Sequence, residues 1–341
     1  MSGLSPRTRL VVLTVVLLTA VAGATGYVWR IRQQQPAVGA AATAAPARAD
    51  LAAVRAGPHV VFRTTALGAD YGRVAMVPLA EPTAPRAVTP ASCDRVYATR
   101  DTAICVAADR GLVTTSRAHL LGPDWTPRRE LPVVGLPSRA RLSRDGSLIA
   151  TTTFVHGDSY ANPGQFSTRT VVTRADGEVV GDIERFDLVV DGKVLTAVDK
   201  NLWGVTFADD DRFYATAASG GRTWLVEGSL AARRVTALRR DVECPSLSPD
   251  GTRLAFKERG DLPAGRWRLA VYDLASGTQT RLAETRSVDD QVEWLDDHTV
   301  VYGLPRGRPG TASSDVWSVP ADGRGAPALL IPDAWSPAVV R

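Results

Sequence analysis

The chain has 341 residues, with 40 basic and 36 acidic side chains and a net charge of +4. The two signs are interspersed, and no basic run is interleaved with aromatic residues, so nothing in the composition points to nucleic acid as a partner. The histidines, at positions 59, 119, 156 and 298, are scattered without His-x-His or His-x-x-x-His spacing, which argues against a dedicated zinc or copper site.

Leu10 to Trp29 contains no charged residue. As a helix it is about 30 Å long, enough to span a bilayer. Tyr27 and Trp29 beside Arg30 have the make-up of an interfacial belt. Arg7 and Arg9 precede the stretch and Arg30 and Arg32 follow it, so charge counts alone do not orient it. Ala20-Val21-Ala22 and Ala22-Gly23-Ala24 have the small-x-small form of a cleavage site, so a cleavable signal competes with a retained anchor. The reading adopted is the anchor: residues 1–9 cytoplasmic, 10–29 spanning the cell membrane once, and the remainder extracytoplasmic. Residues 30–56 are rich in Ala, Gln and Pro and read as a flexible tether.

From residue 57 onward the chain repeats. In Cys244-Pro245-Ser246-Leu247-Ser248-Pro249-Asp250-Gly251-Thr252-Arg253-Leu254-Ala255-Phe256 two short apolar strands flank a Ser-Pro-Asp-Gly turn, in which Asp bonds its own backbone and Gly accepts φ > 0. A third strand follows at Trp267–Asp273, then a Ser276-Gly277 turn and a fourth strand near Thr280-Arg281-Leu282. The turn recurs at Leu142–Ala150, with acidic residues at Phe207–Ala215, one residue shorter at Trp294–Tyr302, and weakly between Cys93 and Val106. Four antiparallel strands joined by tight turns make a propeller blade, and roughly 40–50 residues is its usual length. The expected fold is all-β: a six-bladed propeller over 57–341, with units at 57–91, 92–137, 138–197, 198–242, 243–286 and 287–341. The third unit carries an extra hairpin, Asp187–Leu195. The first unit opens at its second strand, so Trp335–Val340 is expected to supply the missing one and close the ring.

Cys93 and Cys105 flank the hairpin of the second unit, where facing strands in an oxidising compartment favour a disulfide. Cys244 reads as a buried free thiol. Asp209-Asp210-Asp211 and Asp296-Asp297 occupy turn positions, and His298 lies in a turn. Arg233-Arg234 and Arg239-Arg240 are the densest basic cluster, on what reads as a solvated outer strand. His156-Gly157-Asp158-Ser159 holds a Gly-Asp-Ser, but in a loop and without a partner Asp-x-x-His, so Ser159 is not taken as a nucleophile. No P-loop, dinucleotide fingerprint or Gly-x-Ser-x-Gly occurs, and no cofactor is expected. Asp289, Asp290, Gln291 and Glu293 precede or open a first strand, where loops reach the channel, and form the candidate binding site.

The Ser-Pro-Asp-Gly hairpin with Tyr272-Asp273-Leu274-x-x-Gly277 downstream resembles the repeat of TolB-like β-propellers. Trp203-Gly204-Val205-Thr206-Phe207, Glu243–Pro249 and Ser287–Leu295 are similar to a membrane-anchored actinobacterial group of such proteins. TolB itself binds partners of an envelope complex; a complete propeller without a catalytic constellation is expected to be a monomeric envelope module that binds a protein, peptide or glycan without catalysing a reaction. The alternative is a propeller enzyme, a lyase, lactonase or glycan hydrolase, acting through Asp289, Asp290 and Glu293.

Overall fold

The computed structural model describes residues 6–34, 48–110, 114–156, 166–307 and 313–341. The chain divides into two compact units, Met1–Ala45 and Pro46–Arg341.

The first unit contains one helix, α1 (Pro6–Gln34). Within it Leu10–Tyr27 is long and apolar enough to cross a membrane. Its Leu and Val side chains are exposed on every side, a pattern that a membrane anchor and a signal sequence share. The Thr14, Thr19 and Thr25 hydroxyls donate to carbonyls one turn back, at 2.9, 2.7 and 2.7 Å, so these polar groups are satisfied inside the helix.

The second unit is a six-bladed propeller. The turn chemistry explains why the strands pair as they do. In blade five the Asp250 carboxylate accepts from the Ser248 hydroxyl at 2.5 Å and from the Thr252 N–H at 3.0 Å, while Ser248 Oγ accepts from the Arg253 N–H at 2.9 Å. Blade three repeats the same set: Ser143 Oγ to Asp145 at 2.5 Å, Ser147 N–H to Asp145 at 3.1 Å, and Leu148 N–H to Ser143 Oγ at 2.9 Å. Gly146 and Gly251 sit at φ 75° and 73°, which an L side chain rarely adopts. The sequence motif is therefore one hydrogen-bonded device used twice.

A blade cannot bury both faces by itself, and the core accordingly lies between blades. Six apolar layers fill the six junctions. Val61, Met76 and Ala338 meet Val96 and Leu121 between blades one and two. Phe62, Val77 and Val339 meet Val301 and Val316 between blades one and six. Equivalent layers join two to three, three to four, four to five, and five to six. Ring closure follows the sequence expectation: Ala334–Val340 pairs antiparallel with His59–Thr64, His59 opposite Val340 and Val61 opposite Ala338. The last strand is thus the innermost strand of the first blade.

Three features differ from the sequence reading, the setting of the disulfide described below among them. The extra hairpin after blade three does not extend that blade. Asp187–Val190 pairs in parallel with the outer strand of blade four, Leu188 opposite Val235, and makes that sheet six-stranded. The insertion crosses forward because Leu188 is fully buried in the layer between blades three and four. Residues 48–56, assigned by composition to the tether, are folded onto the propeller. Asp50 caps α2 (Leu51–Arg55) by accepting from the Ala53 N–H at 2.8 Å, and Val54 is buried among Val74, Met76 and Cys93. A single buried valine in an Ala-rich stretch leaves no periodic signal.

The Cys93–Cys105 disulfide is present, with Cα atoms 5.4 Å apart. Its setting differs from a bridge between two facing strands. Cys105 lies opposite Val96 in the ladder, and Cys93 precedes the inner strand Arg95–Ala98, in the crossover from blade one. The bond ties that crossover to blade two. Cys244 is buried and unbridged.

Candidate functional site

Six inner strands line the central channel: Arg95–Ala98, Leu136–Leu142, Asn201–Phe207, Glu243–Leu247, Glu293–Trp294 and Ala334–Val340, in blades two to six and one. Three of them carry a residue at positive φ, Gly204 (67°), Cys244 (51°) and Ser336 (56°). The ladders shift register at or beside each of these positions. In two cases a proline follows, Pro245 and Pro337, placing a residue without an N–H where the ladder is already broken. Such bulges turn side chains that would alternate between sheet faces toward the axis.

The channel is filled by a network of charges. Arg95 of blade two meets Asp290 of blade six at 3.3 Å and lies over the Trp335 ring of blade one at 5.2 Å. Arg141 of blade three crosses the channel to Glu293, donates to the Val292 carbonyl at 3.0 Å, and stacks on Tyr97 of blade two at 4.6 Å. Lys257 of blade five is fully buried. It donates to Asp289 at 2.6 Å, stands 4.0 Å from Glu243, and lies over the Trp267 ring at 4.2 Å. Arg139 reaches Asp289 at 3.6 Å. Four cations thus face four carboxylates. Pairing of this quality is what allows ions to leave water.

Electrostatics follow from that pairing. Partial loss of hydration would raise the Asp289 carboxyl, but Lys257 and Arg139 hold it below its ordinary value. Burial lifts the Glu243 carboxyl, against the opposing pull of Lys257 and the Trp267 Nε1–H. The Tyr97 phenol is pushed up to about 12 by burial and by Glu293, with Arg141 opposing.

All four sequence-predicted site residues reach the channel, but they are not equivalent. Asp290 also accepts from the Gly303 N–H at 2.9 Å. Gln291 donates to the Val205 and Pro245 carbonyls at 3.2 and 3.0 Å, bridging blades four and five. Glu293 accepts from its neighbour's N–H, on Trp294, at 3.1 Å. These three are buried, whereas Asp289 keeps 43% of its side chain accessible. The space among Arg95, Tyr97, Arg139, Asp290 and Ser336 is a cavity of about 20 Å³, room for about one water.

Sequence reasoning missed the cations. Arg139 and Arg141 stand two apart on one strand, which puts both on the same face. Lys257 is one of three lysines in an arginine-rich chain and sits in the apolar strand Arg253–Glu258. Both signals were present. The other singled-out carboxylates serve turns: Asp209 accepts from the Asp211 and Arg212 N–H groups at 3.0 and 2.6 Å, and Asp296 from the His298 N–H at 2.8 Å. Ser159 lies outside the described residues. Among the described residues no three His, Cys, Asp or Glu side chains are grouped to hold a metal ion.

No family model and no curated protein matches the sequence. Solved structures do. TolB from Acinetobacter baumannii superposes with a TM-score of 0.58 at 16% identity, over 84% of this chain and 68% of that one. The propeller shares its fold with the matched part of TolB. A chain of a nidogen/laminin complex superposes with a TM-score of 0.53 at 14% identity, over 83% of this chain and 98% of its own. At such identities the TolB-like likeness is one of architecture, and function has to come from the site.

Proposed function

We propose that this protein is a membrane-tethered, extracytoplasmic TolB-like propeller that docks a protein, peptide or glycan of the cell envelope at the channel mouth around Asp289. The observation that carries the reading is the filled channel. The cavity among Arg95, Tyr97, Arg139, Asp290 and Ser336 has room for about one water, charge pairs bridge the blades beside it, and Asp289 is the member of the predicted quartet that water reaches, so a partner engages the mouth. Asp290, Gln291 and Glu293 then hold the rim in shape. Bond-breaking chemistry asks for carboxyl groups free to exchange protons with a substrate. Asp290 and Glu293 are instead buried against Arg95 and Arg141, which favours binding over the lyase, lactonase or hydrolase alternative.

Cross-linking in intact cells followed by affinity capture tests this. Wild-type protein should recover a reproducible envelope component that Asp289→Ala loses while remaining folded. Equal recovery by both, or none by either, rejects the mouth as the docking site. The topology is tested separately: protease added to intact protoplasts should remove nearly all of the protein. Full protection, or a mature N-terminus near Gly23 or Thr25, rejects the retained anchor.

A further inference from the structure

A second concave site lies between blades four and five. Arg222, Arg240 and Arg259 wall a cleft of about 290 Å³ together with Gly221, Thr223, Asp241, Glu243 and Gly260. The three arginines come from three separate chain segments: the start of the third strand of blade four, the end of its outer strand, and the turn after the second strand of blade five. Arg240 belongs to the basic cluster noted in the sequence, and the fold disperses the rest of it. Arg239 stacks on Tyr272 at 4.8 Å, Arg233 on Phe186 at 5.0 Å, and Arg234 meets Asp187 at 3.7 Å.

The turns around the cleft are hydrogen-bonded in place, and its cations outnumber its acids. Asp241 accepts from the backbone N–H groups of Arg259 and Gly260 at 3.0 and 2.7 Å, and its own N–H donates to the Thr223 carbonyl at 2.9 Å. Asp199 holds the opposite turn through the Ser219 hydroxyl and the Gly220 N–H, both at 2.6 Å. Glu243, at the base, is paired with Lys257 and with Trp267 Nε1–H at 2.8 Å. The acids are therefore engaged with the walls and floor. Among the described residues no carboxylate stands within ion-pair distance of Arg222, Arg240 or Arg259. The glycine turns place no side chain over the opening, where a Cβ on Gly221 would meet nothing within 4 Å.

We propose that this cleft binds a compact, multivalent oxyanion, carboxylate or phosphate. A guanidinium presents parallel N–H donors that match such groups bidentately, and three of them on a pre-formed frame suit a ligand with more than one negative charge. The site is separate from the channel mouth and shares with its network only Glu243 on the floor.

The test uses the full-length protein in non-ionic detergent, titrated calorimetrically with citrate and, separately, with inorganic tripolyphosphate. One equivalent of at least one anion should bind. Arg222→Ala, Arg240→Ala and Arg259→Ala should each weaken it by roughly tenfold, and the triple variant should abolish it. A control triple, Arg117→Ala, Arg128→Ala and Arg324→Ala, removes as much positive charge elsewhere and should stay within about twofold of wild type. Citrate alone binding assigns a carboxylate ligand, and tripolyphosphate alone a phosphate. Binding of neither, retention by the cleft triple, or an equal loss in the control triple overturns the proposal.

Discussion

Lys257→Met tests the physical account of the channel. Lys257 is fully buried, with Asp289 at 2.6 Å and Glu243 at 4.0 Å. Methionine fills much of the volume but leaves Glu243 without its cation and takes from Asp289 its nearest one, with Arg139 at 3.6 Å remaining. Removing one partner of a buried ion pair costs about 3–5 kcal/mol. For a unit of this size that corresponds to a fall of about 5–8 °C in melting temperature. The loss should depend on pH. The folded-state pKa of Glu243 lies above its ordinary value, so folding favours the protonated form. The penalty for its charge is absent in acid and grows as pH rises through the folded value. Without Lys257 that value moves further up, so Lys257→Met should lose less at pH 5 than at pH 8. Adding Glu243→Gln should restore part of the pH 8 loss, because glutamine still accepts from Trp267 without carrying a charge. Melting followed by circular dichroism at both pH values, on wild type, both single variants and the double, measures each term. An equal loss at pH 5 and pH 8, or no rescue by the second substitution, would refute the account of Lys257 as counter-ion to Glu243.

Further outcomes follow from other sites. Cys93→Ser and Cys105→Ser should each lower the melting temperature by removing a bond worth about 3 kcal/mol for a loop this short, the double variant should fall no further, and Cys244→Ser should leave the bond intact in non-reducing mass spectrometry. Gly204→Ala should destabilise by at least about 2 kcal/mol in denaturant titration, since the residue sits at φ 67° and its Cβ would lie 2.7 Å from the Cys244 Cα. Glu184 is raised to about 8, chiefly by burial, although the Leu202 N–H and Thr168 hydroxyl oppose the shift. Its Oε2 has no hydrogen-bond partner among the described residues. A folded pKa above the unfolded one means stability is lost as pH rises from about 4.3 toward 8, so Glu184→Gln should melt higher than wild type at pH 9 and close to it at pH 5.

The channel shows where sequence reading reaches its limit. Asp289, Asp290, Gln291 and Glu293 could be placed near the axis because they adjoin a first strand in a counted repeat. Their partners could not. Arg141 and Glu293 lie 152 positions apart, and Arg95 and Asp290 lie 195 apart. No local pattern couples such residues. Cys93 shows the same limit at short range: the pair was legible from its flanking hairpin, but its register was not, because the residue belongs to a crossover.

By itself the sequence determined the elements whose causes are local. Turn chemistry at Ser248–Gly251 and Ser143–Gly146, two-residue alternation and an uncharged apolar run suffice to specify blades, their number, the closing strand and the N-terminal helix. Tertiary structure alone decided which blade received the Asp187–Val190 strand, that α2 packs onto blade one, and that the axis is closed by paired charges. Those outcomes depend on which surfaces remain unburied once the ring forms. Leu188 and Val54 go where apolar area is left to cover, and a buried carboxylate takes the cation that ring closure brings within reach.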